Sequence, residues 1–281
     1  MTTATTRHHS IAIVGGGICG LILAIGLLRR EIPFHIFEAS SQLSEIGAGI
    51  ALNQNGISAL SKISPELLVT FNHMVTKNAD LEEEDVWINF HRGDDTGELI
   101  ASVKSTGEPK TGMSSVHRGQ FLAALAALVP PKCITFSAKL TKLEYLPSKN
   151  VRLLFENGAV EEAEAVIGCD GIRSRVRQIL LGTEFGPRFT GKYAYRGLVP
   201  MEDAKAALGA YAASNSHMYL NYGGHVLTYQ IDKGATMNVV ACVHMEGNWK
   251  EEKWILKNDT ERMREDFKNW SGAVKKIIYV G

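Results

Sequence analysis

The chain carries no excess of charge of either sign, with 30 Lys and Arg set against 30 Asp and Glu over 281 residues. This balance gives no electrostatic footprint for nucleic acid or for an anionic membrane surface, and it suits a small neutral or weakly acidic ligand. Cysteine is scarce. Cys19, Cys133, Cys169 and Cys242 are spaced too widely for a metal or redox motif, and they read as free thiols in a reducing compartment. Long apolar runs are also missing: the stretch Leu21 to Leu28 is too short to span a bilayer and is interrupted by Gly26. The start, MTTATTRHHS, is polar and has no secretory pattern, so no targeting or transmembrane segment is expected and the location is read as cytoplasmic. His8 and His9 are read as exposed bystanders on a mobile terminus, and no metal site is expected. Repeats and low-complexity tracts are absent.

What is present is a glycine run, GGGICG, from Gly15 to Gly20, directly after the apolar stretch Ile11 to Val14. Gly15 allows a tight turn out of a strand, Gly17 lets the backbone approach a pyrophosphate, and Gly20 lets the next helix pack closely on the sheet. Phosphates at such a turn meet the unpaired amides and positive dipole end of the helix. Leu21 to Leu28 supplies good helix formers ending at Arg29 and Arg30, and Phe34 to Phe37 reads as the second strand. Glu38 closes that strand at the spacing where a carboxylate accepts from a ribose diol, and its charge disfavours a phosphate on the same ribose. Strand, turn, helix and acid-tipped strand thus form one βαβ unit of about 30 residues.

Further along, the small-residue segment Ile46 to Asn55 reads as a loop that can approach a flat ligand, followed by a helix from Gly56 to about Lys62. Val86 to Phe90 and Leu99 to Val103 flank Gly93, Asp94, Asp95 and Gly97 and predict a hairpin. Gln120 to Leu128 predicts a helix stopped by Pro130 and Pro131, with His117 and Arg118 just before it. Asn157 and Gly158 predict a hairpin between Val151 to Glu156 and Val160 to Ile167. The second of these strands leads into GCDGIRSRVR, in which Asp170 and Gly171 end a strand and Ser174 is a candidate helix cap. From Tyr193 the pattern becomes an antiparallel meander, with His217 to Tyr222, His225 to Ile231 and Thr236 to Val243 joined by glycine turns. Asp259 to Val274 predicts one amphipathic helix, with Met263, Phe267, Trp270 and Val274 packed on the meander.

The combination of GGGICG, Glu38, Arg118 before a helix, and GCDGIRSRVR resembles the class A FAD-dependent aromatic monooxygenases. YAYRGLVPM at Tyr193 to Met201 and HMYLNYGGHVLTYQI at His217 to Ile231 are most similar to the fungal salicylate hydroxylase-like subgroup. The resemblance runs from Ile11 to Gly281 and implies an α/β fold. In it, a Rossmann-like FAD-binding domain of glutathione reductase type is interleaved with an antiparallel β-sheet substrate domain. The corresponding boundaries are 1–80 and 109–182 for the FAD-binding domain, with 81–108 as a substrate-domain hairpin and 183–281 as the rest of that domain. It implies that Gly15, Gly17 and Gly20 hold the FAD pyrophosphate and Glu38 the adenosine ribose. Ala51 matches a position whose backbone lies beside the cofactor, and Arg118 an arginine on its phosphates or ribityl chain. The segment with Asp170 and Gly171 would serve both FAD and the nicotinamide donor, NADPH or NADH, for which no second Rossmann domain is visible. Arg196 and Tyr229 match the pair that addresses the phenolic substrate.

The chemistry implied is reduction of FAD by NAD(P)H, reaction with O2 to a flavin hydroperoxide, and hydroxylation of an electron-rich phenolic or salicylate-like ring. Arg196 would favour the phenolate and Tyr229 would orient the same oxygen or relay its proton. On an extended strand His225, Leu227, Tyr229 and Ile231 share one face, which permits a largely apolar pocket over the meander. Spacing alone favours a surface ion pair for Arg196 and a core position with a satisfied hydroxyl for Tyr229, and it is the resemblance that reverses this. A homo-oligomer is compatible with the sequence. The family's Gly-Asp segment for the flavin end is expected after the substrate domain and is not found; Gly93 with Asp94 lacks the small residues that follow it. A truncated, catalytically impaired nucleotide-binding fragment is therefore the first rival reading, and an epoxidase of the same fold the second.

Overall fold

The computed structural model describes residues 7–43, 48–106, 111–249, 253–256 and 259–280. They form two compact units: Met1–Ile46, Ala59–Thr70 and Gly119–Arg188 make the first, and Gly47–Ser58, Phe71–Arg118 and Phe189–Gly281 the second. The strands are β1 (Arg7–Val14), β2 (Phe34–Phe37), β3 (Gly49–Ala51), β4 (Val86–Arg92), β5 (Leu99–Lys104), β6 (Ser115–His117), β7 (Ile134–Thr135), β8 (Leu140–Tyr145), β9 (Val151–Phe155), β10 (Val160–Gly168), β11 (Lys192–Pro200), β12 (His217–Asn221), β13 (Gly224–Ile231) and β14 (Thr236–His244). The α-helices are α1 (Ile18–Leu28), α2 (Gln54–Ile63), α3 (Pro65–Met74), α4 (Arg118–Ala127), α5 (Arg175–Leu181), α6 (Met201–Leu208), α7 (Ala210–Ser214), α8 (Thr260–Asp266) and α9 (Gly272–Val280).

The first unit is built on a six-stranded sheet in the order β7-β2-β1-β10-β9-β8. β7, β2, β1 and β10 run parallel, and the hairpin of β9 and β8 continues the sheet antiparallel. Val14 stands opposite both Phe37 and Gly168, so the glycine turn after β1 and the turn after β10 leave the sheet from the same end. That placement is what creates a ligand crevice in an open α/β sheet. Ala12, Val14, Phe37, Leu153, Phe155 and Ala163 are buried together, and α1 lays Leu21, Ala24 and Ile25 in the interior.

β1 begins four residues upstream of its apolar stretch at Ile11, where Arg7, His8 and His9 pair with Glu161, Glu162 and Ala163 of β10. His9 is consequently no bystander: its ring lies 4.8 Å from that of His35 and edge-on to Phe37, and its Nε2 is 3.2 Å from Glu161. His8 is exposed, as expected for its outward-facing position.

The second unit holds a six-stranded sheet in the order β11-β14-β13-β12-β4-β5, together with the two-stranded pair β3-β6. The β4-β5 hairpin joins the meander through β12, which runs parallel to β4, the one parallel pair in this sheet. One face of the sheet, with Val199, Tyr219, Val226, Met237, Val239 and Ala241, is buried under α6, α7, α8 and α9. The tyrosine hydroxyls of Tyr193 and Tyr195 both donate to Asp266 Oδ2, at 2.6 and 2.7 Å, and tie α8 to β11.

The stripe Met263, Phe267, Trp270 and Val274 does pack on the meander, but not as one helix. The chain breaks between α8 and α9, where the Ser271 amide donates to the Gly93 carbonyl at 2.8 Å and Ser271 Oγ accepts the Val274 amide at 3.3 Å. Ser271 followed by Gly272 is a poor helix interior and a good helix start, so capping wins over continuation. Helices α3, α6 and α7 have no counterpart in the sequence reading, and part of the loop expected at Ile46 to Asn55 is strand β3, with Ile46 and Gly47 outside the described residues. No helix among the described residues is long and apolar enough to cross a membrane.

His35, 8% exposed in β2, has its pKa lowered to about 4 by burial, with the charges of His9 and Arg7 acting the same way. A basic group with a depressed folded pKa stabilises the fold above its unfolded pKa, and that stability is lost as the pH falls towards the folded value. Urea denaturation should therefore show stability falling between pH 6.5 and 4, with His35 contributing on the order of 2–3 kcal/mol. His35→Phe should flatten that part of the profile, and an unchanged slope would contradict the assignment.

Candidate functional site

The glycine turn is set by close approach. Gly15 has φ +106°, and a side-chain carbon there would lie 2.5 Å from the Cys169 carbonyl oxygen. At Gly20 such a carbon would lie 2.0 Å from the Gly15 carbonyl oxygen, so α1 starts against the turn only because neither residue has one. Gly17 differs: it caps α1 with extended backbone, and a carbon added there meets nothing within 4 Å. The space in front of Gly17 is left open by the fold, at the positive end of an 11-residue helix.

Glu38 follows β2 and binds this turn from the side. Its Oε2 accepts the Gly16 amide at 2.6 Å and its Oε1 accepts the Ser40 amide at 2.8 Å, so the acid both shapes the glycine loop and sits on its rim. Asp170 is spent on its own segment: Oδ1 accepts the Ser174 hydroxyl at 2.6 Å, and Oδ2 accepts the Arg175 and Val176 amides at 2.6 and 3.1 Å. Ser174 Oγ in turn accepts the Arg177 amide at 2.9 Å, so the expected cap is in place. What the Asp170–Gly171 turn offers a ligand is thus backbone rather than carboxylate.

Gly15, Gly17, Glu38, Asp170 and Gly171 line one cavity of about 620 Å³ within the first unit, and Gly20 supports it from behind. Its wall also includes Lys139, Thr141, Arg173 and Arg175, which the sequence reading did not single out. Arg173 and Arg175 lie in a legible basic run, but Lys139 and Thr141 belong to β8 and its approach, whose place beside the turn follows only from the sheet order. Arg175 fixes that strand by donating to the Thr141 carbonyl at 3.0 and 2.9 Å. Cys169, between the two turns, has its thiol pKa raised by burial and is a poor thiolate.

The other four candidates lie in the second unit. Ala51 is in β3 opposite Ser115, and Arg118 opens α4, its amide donating to the Ala48 carbonyl at 2.9 Å. Arg196 and Tyr229 project from the sheet face opposite the helices. The register sets Tyr229, Asn238 and Leu198 in one row across β13, β14 and β11, and Leu227, Val240 and Arg196 in the next. Arg196 is exposed, and so is Leu198 at 38%, whereas Tyr229 is buried. Burial pushes the Tyr229 phenol up to about 12, and the nearby Arg196 charge pulls the other way. The result is a phenol that stays protonated at neutral pH beside a permanent cation, on a face otherwise lined by Leu227, Val240, Met218 and Phe90.

Tyr229 is pinned by strand β3. A side-chain carbon at Gly49 would lie 2.7 Å from Tyr229 Cε2 and 2.8 Å from its hydroxyl oxygen, so β3 rests directly on the ring. The Gly49 amide donates to Asn238 Oδ1 at 2.7 Å and holds that contact. Neither Gly49 nor Asn238 was singled out from sequence; the signal available was a polar residue at an inward position of an otherwise apolar strand.

The first unit is thus an α/β sheet with a glycine turn at its cavity, and the second an antiparallel sheet with a cation and a phenol on one face. No protein-family model matches the chain. It is 41% identical over 280 residues to a 6-methylsalicylate 1-monooxygenase of Aspergillus terreus, covering 97% of this chain and 62% of that protein. It is 38% identical over 277 residues to an FAD-dependent monooxygenase of Monascus ruber, with 95% and 62% covered. Among solved structures it resembles a salicylate hydroxylase in a substrate complex, with TM-score 0.79 and 25% identity over 99% of this chain and 67% of that one. Its homologues include fungal FAD-dependent monooxygenases and salicylate hydroxylases. It spans about three-fifths, 62%, of the length of the curated relatives it matches.

The glycines should separate by role in thermal or urea melts. Gly20→Ala and Gly15→Ala should each destabilise the first unit by about 2 kcal/mol or more, because the contacts they violate are backbone. Gly17→Ala should stay within about 0.5 kcal/mol of the native chain. Equal losses at all three positions would refute the distinction.

Proposed function

We propose that this chain is the cofactor- and substrate-holding part of an FAD-dependent monooxygenase that hydroxylates a phenolic, salicylate-like ring with NADPH or NADH and O2. The observation that carries the reading is the placement of the Arg196 cation and the protonated Tyr229 phenol among apolar side chains on one accessible sheet face.

The first unit fits the adenosine diphosphate end of FAD on its own terms. Gly17 leaves space where any side-chain atom would intrude on a ligand, the α1 terminus favours negative charge, and Glu38 stands on the rim as an acceptor for ribose hydroxyls. Gly15, Gly17, Gly171 and the backbone at Asp170 would hold the pyrophosphate side, while Ala51 and Arg118 are assigned to the rest of the cofactor. FAD when bound supplies the redox and oxygen chemistry that amino-acid side chains lack.

The protein's own share is to hold and ionise the ring. Arg196 favours an anionic ligand oxygen and lowers a bound phenol's pKa by about 1–3 units, which raises the ring's electron density. Tyr229, kept protonated, donates a hydrogen bond to that oxygen and fixes the orientation of the ring on this face. The apolar neighbours Leu227, Val240 and Met218 exclude water and strengthen both interactions. A cytoplasmic location is proposed with this reading.

The test is to purify the chain, reconstitute it with FAD, record its visible spectrum, and follow NADPH oxidation with and without salicylate. The expected result is bound flavin and salicylate-stimulated oxidation. Arg196→Ala should keep the flavin and raise the salicylate KM about 10- to 100-fold. Gly17→Ala should fold normally and retain less flavin. Colourless protein that FAD does not reconstitute would overturn the proposal in favour of a nucleotide-binding fragment. Flavin with turnover of alkenes but not phenols would favour an epoxidase.

A further inference from the structure

Asn238 lies in β14 between Met237 and Val239, both of which face the helix-covered core. Alternation along the strand therefore turns Asn238 to the opposite face, in the same row as Tyr229 and diagonal to Arg196. It is 1% exposed. Its amide orientation is determined chemically: the Gly49 amide is a donor, so the atom that receives it at 2.7 Å must be Oδ1. That leaves Nδ2, with two N–H groups, buried and without a hydrogen-bond partner among the described residues. Buried polar atoms are nearly always paired in native proteins, because an unpaired donor forfeits its water without compensation. The orphan is also placed beside the candidate phenol. A side-chain carbon at Gly49 would sit 2.8 Å from the Tyr229 hydroxyl oxygen and 2.9 Å from Asn238 Cγ, so both groups flank one point.

From this arrangement we infer that Asn238 is a third ligand-holding residue, whose Nδ2 donates to an anionic oxygen of the aromatic ligand beside Tyr229 and Arg196. The inference rests on reading this sheet face as the phenol-binding surface. Three donors on the adjacent strands β13, β14 and β11 then surround the ligand's oxygens: one neutral phenol, one neutral amide and one cation. A salicylate has the matching set, a phenolic oxygen next to a carboxylate, whereas a simple phenol leaves one donor unused. Asn238 would thus select ortho-acidic phenols over plain phenols. Because Oδ1 is committed to Gly49, the amide cannot flip to present its acceptor, which makes the position a donor only.

The experiment is equilibrium dialysis of salicylate against the FAD-supplemented 281-residue chain and its variants, with melting temperature measured alongside. Asn238→Asp keeps the acceptor for the Gly49 amide and removes the donor. The expected result is an unchanged fold with salicylate affinity reduced about 10- to 100-fold. Asn238→Ala is measured with salicylate and with naphthalene, which has a ring and no oxygen, so the comparison stands even where the buried carboxylate unfolds the chain. A loss larger for salicylate supports the inference, and an equal loss for both ligands overturns it. Salicylate binding by Asn238→Asp within twofold of native, with Arg196→Ala weakened, overturns the role of Asn238 and leaves the phenol-binding reading in place. A native chain that does not bind salicylate overturns both.

Discussion

The first unit depends on one close approach: the Gly20 Cα packed against the Gly15 carbonyl, with Gly15 itself packed against the Cys169 backbone. A single carbon at either position overlaps backbone that has nowhere to move. Because β1 and β10 are in register at Val14 and Gly168, this contact brings the two turns together at one end of the sheet. The cavity, the exposed space at Gly17 and the position of Glu38 all follow from it. Glu38 then reinforces the turn by taking the Gly16 amide, so a carboxylate on the cavity wall also stiffens the glycine loop.

In the second unit the organising fact is that the sheet has two unlike faces. Helices α6, α7, α8 and α9 bury one, with Phe267, Trp270 and Val274 driven into it, and the other keeps Arg196 and Leu198 accessible. The buried side fixes the strands against which the accessible side is read. Tyr193 and Tyr195 share Asp266 on the helix side while Arg196, next in the chain, points the other way. Tyr229 illustrates how this works electrostatically. Burial under β3 raises its pKa and keeps the proton on, and Arg196 lies near enough to oppose that shift without overcoming it.

Much of this was legible in advance because it is local. The glycine turn and its flanking strand and helix, the Asn157–Gly158 hairpin, the Ser174 cap and the three-strand meander are each specified by residues within a few positions of one another. The resemblance to aromatic monooxygenases, drawn from the same residues, agrees with relatives at 41% and 38% identity. The misreadings share a different cause. His9 reads as a bystander because nothing nearby in the sequence marks it as paired, and its partners Glu161, His35 and Phe37 are distant in sequence. The stripe from Met263 to Val274 kept helical spacing through a break, because burial demands the same spacing whether or not Ser271 restarts the helix. Helices α6 and α7, of 8 and 5 residues after Pro200 and Gly209, are built from good helix formers but are too short to hold until the sheet gives them a surface.

The sequence by itself determined the class of this chain: a nucleotide turn with an acid at the ribose spacing, a second turn built on Asp170, and a meander carrying an arginine and a tyrosine. Those features depend on short-range sterics and strand alternation, which neighbouring residues dictate. Tertiary structure alone decided that Asp170 turns its carboxylate to its own helix, that Lys139 and Thr141 join the cavity wall, and that Gly49 rests on Tyr229. It alone placed Asn238, anchored by one amide oxygen and unpaired at its nitrogen, beside that tyrosine. Each of these is a contact between residues far apart in the chain, set by sheet order and register, and strand periodicity carries no information about which strand lies next to which.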